Sequence, residues 1–171
     1  PELGILTLAL MIAMLTSGIN LSIIATANLS GIVMAMVLTK SVPPESALIN
    51  SPWLVVLAIL AGLLVAALVG LINGFLIAVL DISPILATLG MMIMLGGVSL
   101  VLTEGYVISG FSPALLSIGN KDIFGIPVPM LIFLACAGAM SVILNKTPLG
   151  TQIYLLGSNP VACFYSGVNN K

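Results

Sequence analysis

The chain has 171 residues, 60% of them hydrophobic and only 5% charged, with a mean hydropathy of +1.32. Soluble domains carry about a quarter charged residues, so the composition excludes a soluble globular fold. Four Lys, five acids and no His give a net charge of -1. That excludes a basic nucleic-acid surface, a polybasic lipid-binding cluster, and any histidine metal site or histidine general base.

The first residue is Pro1, and no positively charged leader precedes the first apolar run. Together these predict a segment of a longer protein rather than a signal peptide. Leu3–Thr39 is 37 residues without a charge. As one helix it would be ~55 Å long, too long for a comfortable span even when tilted. The interruption is Thr16-Ser17-Gly18-Ile19-Asn20-Leu21-Ser22. Gly and Asn weaken helix there, and Ser or Asn can cap the next one. Two readings fit: a tight hairpin or re-entrant break at Ser17–Asn20, or one long helix kinked at that point. The break is favoured, with spans over 3–16 and 20–39. The second starts near Asn20 or Ser22 and also carries Thr26, Asn28 and Ser30.

Lys40–Ser51 reads as a polar connection stopped by Pro43-Pro44, and Pro52 suits the first turn of the next span. Trp53–Leu80 is 28 residues without a charge, ~42 Å as helix. Ala58, Gly62, Ala66, Gly70, Gly74 and Ala78 recur at every fourth position. This predicts a ridge of small side chains against which neighbouring spans pack. Asn73 beside Gly74 suits an interhelical hydrogen bond or the lining of a path.

Asp81-Ile82-Ser83-Pro84 marks a membrane boundary and a helix restart. The span over 84–103 carries Thr88 and Ser99, and Met91, Met92 and Met94 as adaptable gap fillers. Glu104–Pro127 is a second connection, with Tyr106, Phe111 and Phe124 as interface anchors and a short amphipathic helix over Pro113–Ile118. A last span covers 126–145, with Cys136 as a small apolar filler. Residues 146–171 mix turn signals with short helical pieces, Gly157-Ser158-Asn159-Pro160 above all. Cys136 and Cys163 do not suggest a disulfide or a zinc site.

The fold class is therefore all-α: a polytopic membrane helix bundle with a broken first apolar run and four or five spans, in one partial transmembrane domain over 1–171. Lys40 and Lys121 fall on one side and Lys146 and Lys171 on the other, so positive charge does not set the orientation. Scattered boundary acids and the absence of His leave no catalytic constellation, no cofactor and no metal site. The expectation is a transport subunit rather than an enzyme. The break at Ser17–Ser22 exposes polar groups to a water-filled path or bonds back to its own helices. The 146–171 segment needs a cover, either the bilayer surface or another subunit.

Four stretches carry a family resemblance. Thr16-Ser17-Gly18-Ile19-Asn20-Leu21-Ser22 is similar to a Thr-Gly-Gly-Ile-Asp-Leu-Ser motif. Gly70-Leu71-Ile72-Asn73-Gly74 is similar to Gly-x-x-Asn-Gly. Pro84-Ile85-Leu86-Ala87-Thr88-Leu89-Gly90, followed by Gly97, is similar to Pro-Phe-Ile-x-Thr-Leu-x with a downstream Gly. Thr147-Pro148-Leu149-Gly150 through Tyr154, Gly157, Asn159, Ala162, Ser166 and Gly167 is similar to a Thr-x-Phe-Gly-Arg…Tyr-Ala-x-Gly-Gly-Asn…Ala-Ala…Ser-Gly-Ile loop. In this order and spacing the chain resembles the permease subunits of bacterial ABC importers for ribose and other simple sugars. That group also includes nucleoside and furanosyl-autoinducer permeases. Asn20 stands where the family has Asp, Gln152 stands near a family Arg, and Cys163-Phe164 replaces a more polar pair.

The resemblance implies a multi-pass protein of the bacterial inner membrane that moves a sugar or related small polar solute into the cell. It implies a cytoplasmic ATP-binding subunit, an extracytoplasmic solute-binding protein and a second permease subunit, in a homo- or heterodimer within membrane lipid. It places Asp81–Ser83 and Lys146–Lys171 in the cytoplasm, and Lys40–Ser51 and Glu104–Gly125 outside. The expected path residues are Asn20, Ser22, Asn28, Asn73 and Thr88. The expected ATPase-coupling residues are Pro148, Gly150, Tyr154, Gly157, Asn159 and Gly167. A secondary transporter or channel without an ATPase, and a structural membrane subunit, are the alternatives.

Overall fold

The computed structural model describes residues 1–40, 52–109, 119–123, 125–159, 163 and 165. Most of the Lys40–Ser51 connection, the Pro113–Ile118 helix and the anchors Phe111 and Phe124 lie outside the described residues.

The architecture is all-α. Six helices are described: α1 (Glu2–Leu15), α2 (Ile23–Lys40), α3 (Pro52–Ala78), α4 (Pro84–Thr103), α5 (Val128–Lys146) and α6 (Pro148–Ser158). Two-residue strands β1 (Asp122–Ile123) and β2 (Ile126–Pro127) pair antiparallel just before α5. Pro84 sits in the first turn of α4 and Pro148 in the first turn of α6, where the missing N–H removes no helical bond. Trp53–Ala78, Pro84–Thr103 and Val128–Lys146 are long and apolar enough to cross a membrane, while Glu2–Leu15 and Ile23–Thr39 are shorter apolar helices. Leu57, Leu60, Leu64, Leu68 and Leu71 of α3 are all exposed. A helix that is apolar all round, with large aliphatics on its outer face, suits a lipid solvent. The protein is a multi-pass membrane protein.

The core is the packing of α2 against α3 and α4. α2 and α3 run antiparallel: Ser22 meets Asn73, Met34 meets Gly62, and Leu38 clusters with Val55 and Ala58. α2 and α4 run parallel: Leu21 meets Thr88, and Leu29 clusters with Met91 and Leu95. Val69 of α3 closes that cluster. Of the three methionines singled out on α4, only Met91 is buried; Met92 and Met94 are exposed.

The small-residue ridge on α3 divides. Ala58 and Gly62 are buried against α2, whereas Gly70 and Gly74 are exposed. Helix geometry explains this. Steps of four residues advance ~400°, so a strict four-residue stripe drifts ~40° per step around the axis. Relative to Ala58, the buried Val69, Gly62, Val55 and Asn73 fall within ~60°, while Gly70 and Gly74 lie at ~120° and ~160°. The upper stripe is thus a packing seam, and the lower stripe has turned away from α2.

α5 buries only Leu144, and α1 buries no residue. Cys136, expected as an apolar filler, is exposed. α1 and α5 cross closely at Gly4, where a Cβ would lie 2.6 Å from the Phe133 ring.

Candidate functional site: a broken helix over an uncharged cavity

α1 stops at Thr16 by a Schellman-type cap. Ser17 N–H donates to Met14 O and Gly18 N–H to Ala13 O, each at 3.0 Å, which satisfies two carbonyls of the last turn. Ser17 occupies the left-handed region at φ 60°. Glycine usually holds that place, and a side chain there costs roughly 1–2 kcal/mol. The chain then continues non-helically until α2 begins at Ile23. The first apolar run is therefore broken rather than kinked.

Asn20 organises the start of α2. Its Oδ1 accepts from Ser22 N–H at 2.9 Å and from the Ser22 hydroxyl at 2.8 Å, an Asx-turn that leads the chain into α2. Ser22 is fully buried. Its hydroxyl accepts from Asn73 Nδ2 at 2.9 Å, so a directed chain of hydrogen bonds runs from α3 through Ser22 to Asn20. The Thr26 hydroxyl donates to Ser22 O at 2.8 Å and secures the first turn of α2.

Thr88 clips the same segment from the other side. Its hydroxyl accepts from Leu21 N–H at 3.1 Å and has Pro84 O at 2.7 Å and Ile19 O at 3.2 Å within reach of its single proton. The backbone on both sides of Asn20 is thus held by one side chain of α4. Thr88 is 1% exposed, so this pairing matters: unpaired backbone groups in an apolar interior cost several kcal/mol.

Thr16, Gly18, Asn20, Gly70, Asn73 and Thr88 line a cavity of about 240 Å³, completed by apolar side chains of α1, α3 and α4. A Cβ at Gly70 or Gly74 would meet nothing within 4 Å, so the lower stripe supplies open space rather than contact. Among the described residues no charged one lines the cavity. Asn73 Oδ1 is buried without a hydrogen-bond partner among the described residues, which leaves an acceptor beside the cavity. The cavity lies near one end of the bundle. Thr88 is one turn, ~6 Å, into α4, and Asn73 is ~8 Å from the end of α3.

Asn28 does not join this cluster. It is exposed on α2 and lines a separate open groove of about 490 Å³ with Gly31, Thr103 and Tyr106.

At the cavity end of the bundle, α6 lies against the ends of two other helices. A Cβ on Gly150 would overlap the Leu144 carbonyl of α5, and a Cβ on Gly157 would overlap the Leu15 carbonyl of α1. Seven residues apart, these glycines share one face of α6. The Ser17 hydroxyl donates to Gly157 O at 2.7 Å. Pro148 opens α6 and Tyr154 is 47% exposed on it. Asn159 caps its end through a backbone bond to Leu155 O, while Gly167 lies outside the described residues. Sequence reasoning named Ser17 within the break but missed its bond to Gly157 and the seat that the Leu15 carbonyl gives α6. The one available signal was the Thr16-Ser17-Gly18 helix stop, with a non-glycine residue at the left-handed position.

Fold and site together define a class: a multi-pass helical membrane protein whose broken helix closes one wall of a mainly apolar cavity that carries a few amide and hydroxyl groups. The chain belongs to the permease family described as "Branched-chain amino acid transport system / permease component", whose profile matches residues 1–171. It is 34% identical over 172 residues to the autoinducer 2 import system permease protein LsrD of Escherichia coli (strain K12) and to that of Shigella flexneri. Each alignment covers 97% of this chain and 49% of the relative. The LsrD protein of Escherichia coli (strain SMS-3-5 / SECEC) matches to the same extent. The chain thus spans about half the length of the curated relatives it matches. No solved structure matches it.

Proposed function

We propose that this chain is part of the permease subunit of an ATP-driven importer in a bacterial inner membrane, and that it forms part of the path of a sugar or related small polar solute. The observation that carries the reading is the Asn20–Ser22–Asn73–Thr88 cluster, set at a helix break beside an uncharged cavity. Discontinuous helices bring backbone and polar side chains to a path through the membrane without exposing them to lipid. Amide and hydroxyl groups suit a neutral, hydroxyl-bearing solute and bind it weakly enough for release. A branched-chain amino acid brings an ammonium and a carboxylate, and the described residues of the cavity wall offer no opposite charge to either. The autoinducer 2 named for the relatives is the kind of small solute this reading expects.

In this reading α1 to α5 are five membrane segments of one partial permease domain, over 3–16, 20–39, 53–80, 84–103 and 126–145. The cavity end of the bundle, with Asp81 and α6, faces the cytoplasm. Asn20, Asn73 and Thr88 line the inner part of the path, with the buried Ser22, expected there from the sequence, behind them as the link between Asn20 and Asn73, and Asn28 lines the outer groove. Pro148, Gly150, Tyr154, Gly157, Asn159 and Gly167 form the coupling segment against a cytoplasmic ATP-binding subunit. An extracytoplasmic solute-binding protein delivers the solute, and a second permease subunit, like or unlike this one, completes the path. No residue of this chain hydrolyses ATP: it holds no Gly-x-x-x-x-Gly-Lys phosphate loop.

The test is reconstitution of the full-length permease with its ATP-binding subunit and binding protein in proteoliposomes. Uptake that needs ATP, and that falls with Asn73→Leu while the complex still assembles, supports the reading. Uptake that follows an ion gradient without ATP refutes it.

A further inference from the structure

α6 is fastened at two points. At Gly150 it packs under the last carbonyls of α5, and at Gly157 onto the last carbonyl of α1. Both contacts are with backbone, which cannot swing aside as a side chain can. The outer residues Thr151, Gln152 and Leu155 are exposed, on the side of α6 away from its two glycines.

The second fastening adjoins the polar cluster. Ser17, whose hydroxyl holds Gly157 O, is three residues before Asn20, and Asn20 positions Ser22 and through it Asn73. Thr88 grips the backbone between them at Ile19 and Leu21. Ser17 holds a left-handed conformation that glycine would hold without strain. Its side chain thus works against the backbone preference of the site, and the bond to Gly157 O is what the hydroxyl contributes.

We propose that α6 is a lever pinned at Gly150, and that the Ser17–Gly157 contact is the joint through which its movement reaches Asn20 and the cavity wall. The inference rests on the importer reading, in which the exposed face of α6 meets the ATP-binding subunit. Ser17 is a positioning residue: it does not line the cavity, and it acts through the segment that carries Asn20.

The experiment uses the full-length permease, reconstituted with its ATP-binding subunit and binding protein. Ser17→Gly removes the hydroxyl and relieves the backbone, so a purely structural role predicts an unharmed or stabilised protein with normal coupling. The joint predicts a rise of about fivefold in ATP hydrolysed per solute imported, the equilibrium factor of one net hydrogen bond. The ATP-binding subunit should stay attached. Ser17→Asn, which tolerates the left-handed conformation and keeps a donor, restores coupling. Normal coupling in Ser17→Gly, or no restoration in Ser17→Asn, overturns the proposal.

A second measurement needs no change at the joint. Spin labels at Ser158→Cys and Ile24→Cys, in a background otherwise free of cysteine, report the distance from α6 to the start of α2. A joint that transmits keeps that distance constant between nucleotide-free and nucleotide-trapped states. A distance that changes with nucleotide overturns it. Absence of ATP-driven uptake in the wild type would instead overturn the importer reading itself.

Discussion

Asn73 on α3 donates to the hydroxyl of Ser22, the residue just before α2, at 2.9 Å, although the two are 51 positions apart. The contact sets the register of the α2–α3 pair at its polar end, as Gly62 against Met34 does in the middle. It also fixes which face of α3 looks into the cavity. With Asn73 turned to Ser22, Gly70 and Gly74 line open space.

Asn73→Leu removes this bond and leaves the buried Ser22 hydroxyl without its donor. The expected loss of stability is about 1–3 kcal/mol, read as a lower unfolding temperature of the detergent-solubilised full-length protein. Uptake should fall much further than stability. A variant with wild-type uptake would show that the cluster only packs the bundle.

Gly74→Leu tests the cavity separately from the fold. Nothing lies within 4 Å of a Cβ at this position, so the side chain enters space rather than a packed seam. The unfolding temperature should stay close to wild type, or rise slightly as the helix loses a glycine, while uptake is blocked. Loss of folding together with uptake would mean that Gly74 sits in a packed contact.

Gly62→Ala and Gly157→Ala should differ in severity. At Gly62 the new Cβ would lie 2.6 Å from Met34 Cγ and 2.8 Å from its sulfur. Methionine is flexible enough to yield, so the cost is about 1–3 kcal/mol at most. At Gly157 the obstacle is the Leu15 carbonyl, a backbone group, so α6 must leave the end of α1. Limited proteolysis within 148–158 should speed up in Gly157→Ala and stay unchanged in Gly62→Ala.

Thr88→Val keeps the shape of the side chain and removes its hydroxyl. Leu21 N–H then loses its acceptor in a part-buried setting, at a cost of about 1 kcal/mol. Hydrogen exchange at Leu21 should accelerate strongly, and Thr88→Ser should largely restore protection. Equal exchange in all three proteins would remove Thr88 from its role as a clip.

Much of this was legible in the sequence for identifiable reasons. Proline marks the first turns of α3 and α4, and long uncharged runs mark the apolar helices. Ser17–Ser22 announces a break because glycine, asparagine and serine cluster where a span would otherwise be too long. The rest depends on register, which composition does not carry. The four-residue spacing on α3 looks like one continuous face, but the helix turns it from a seam at Ala58 to a cavity wall at Gly74. Asn28 reads like Asn20 in the sequence, yet about two turns of helix place it on another groove. Likewise, Gly157 reads as part of a turn signal, whereas it lies within α6 and lets its backbone meet that of α1, distant in the chain.

The most direct test of the central claim is solute uptake by proteoliposomes holding the full-length permease, its ATP-binding subunit and the binding protein, with and without ATP, for wild type and Gly74→Leu. The account predicts uptake only with ATP, and its loss in Gly74→Leu although the complex assembles and hydrolyses ATP. Uptake that is independent of ATP, or unimpaired with the cavity filled, would contradict it.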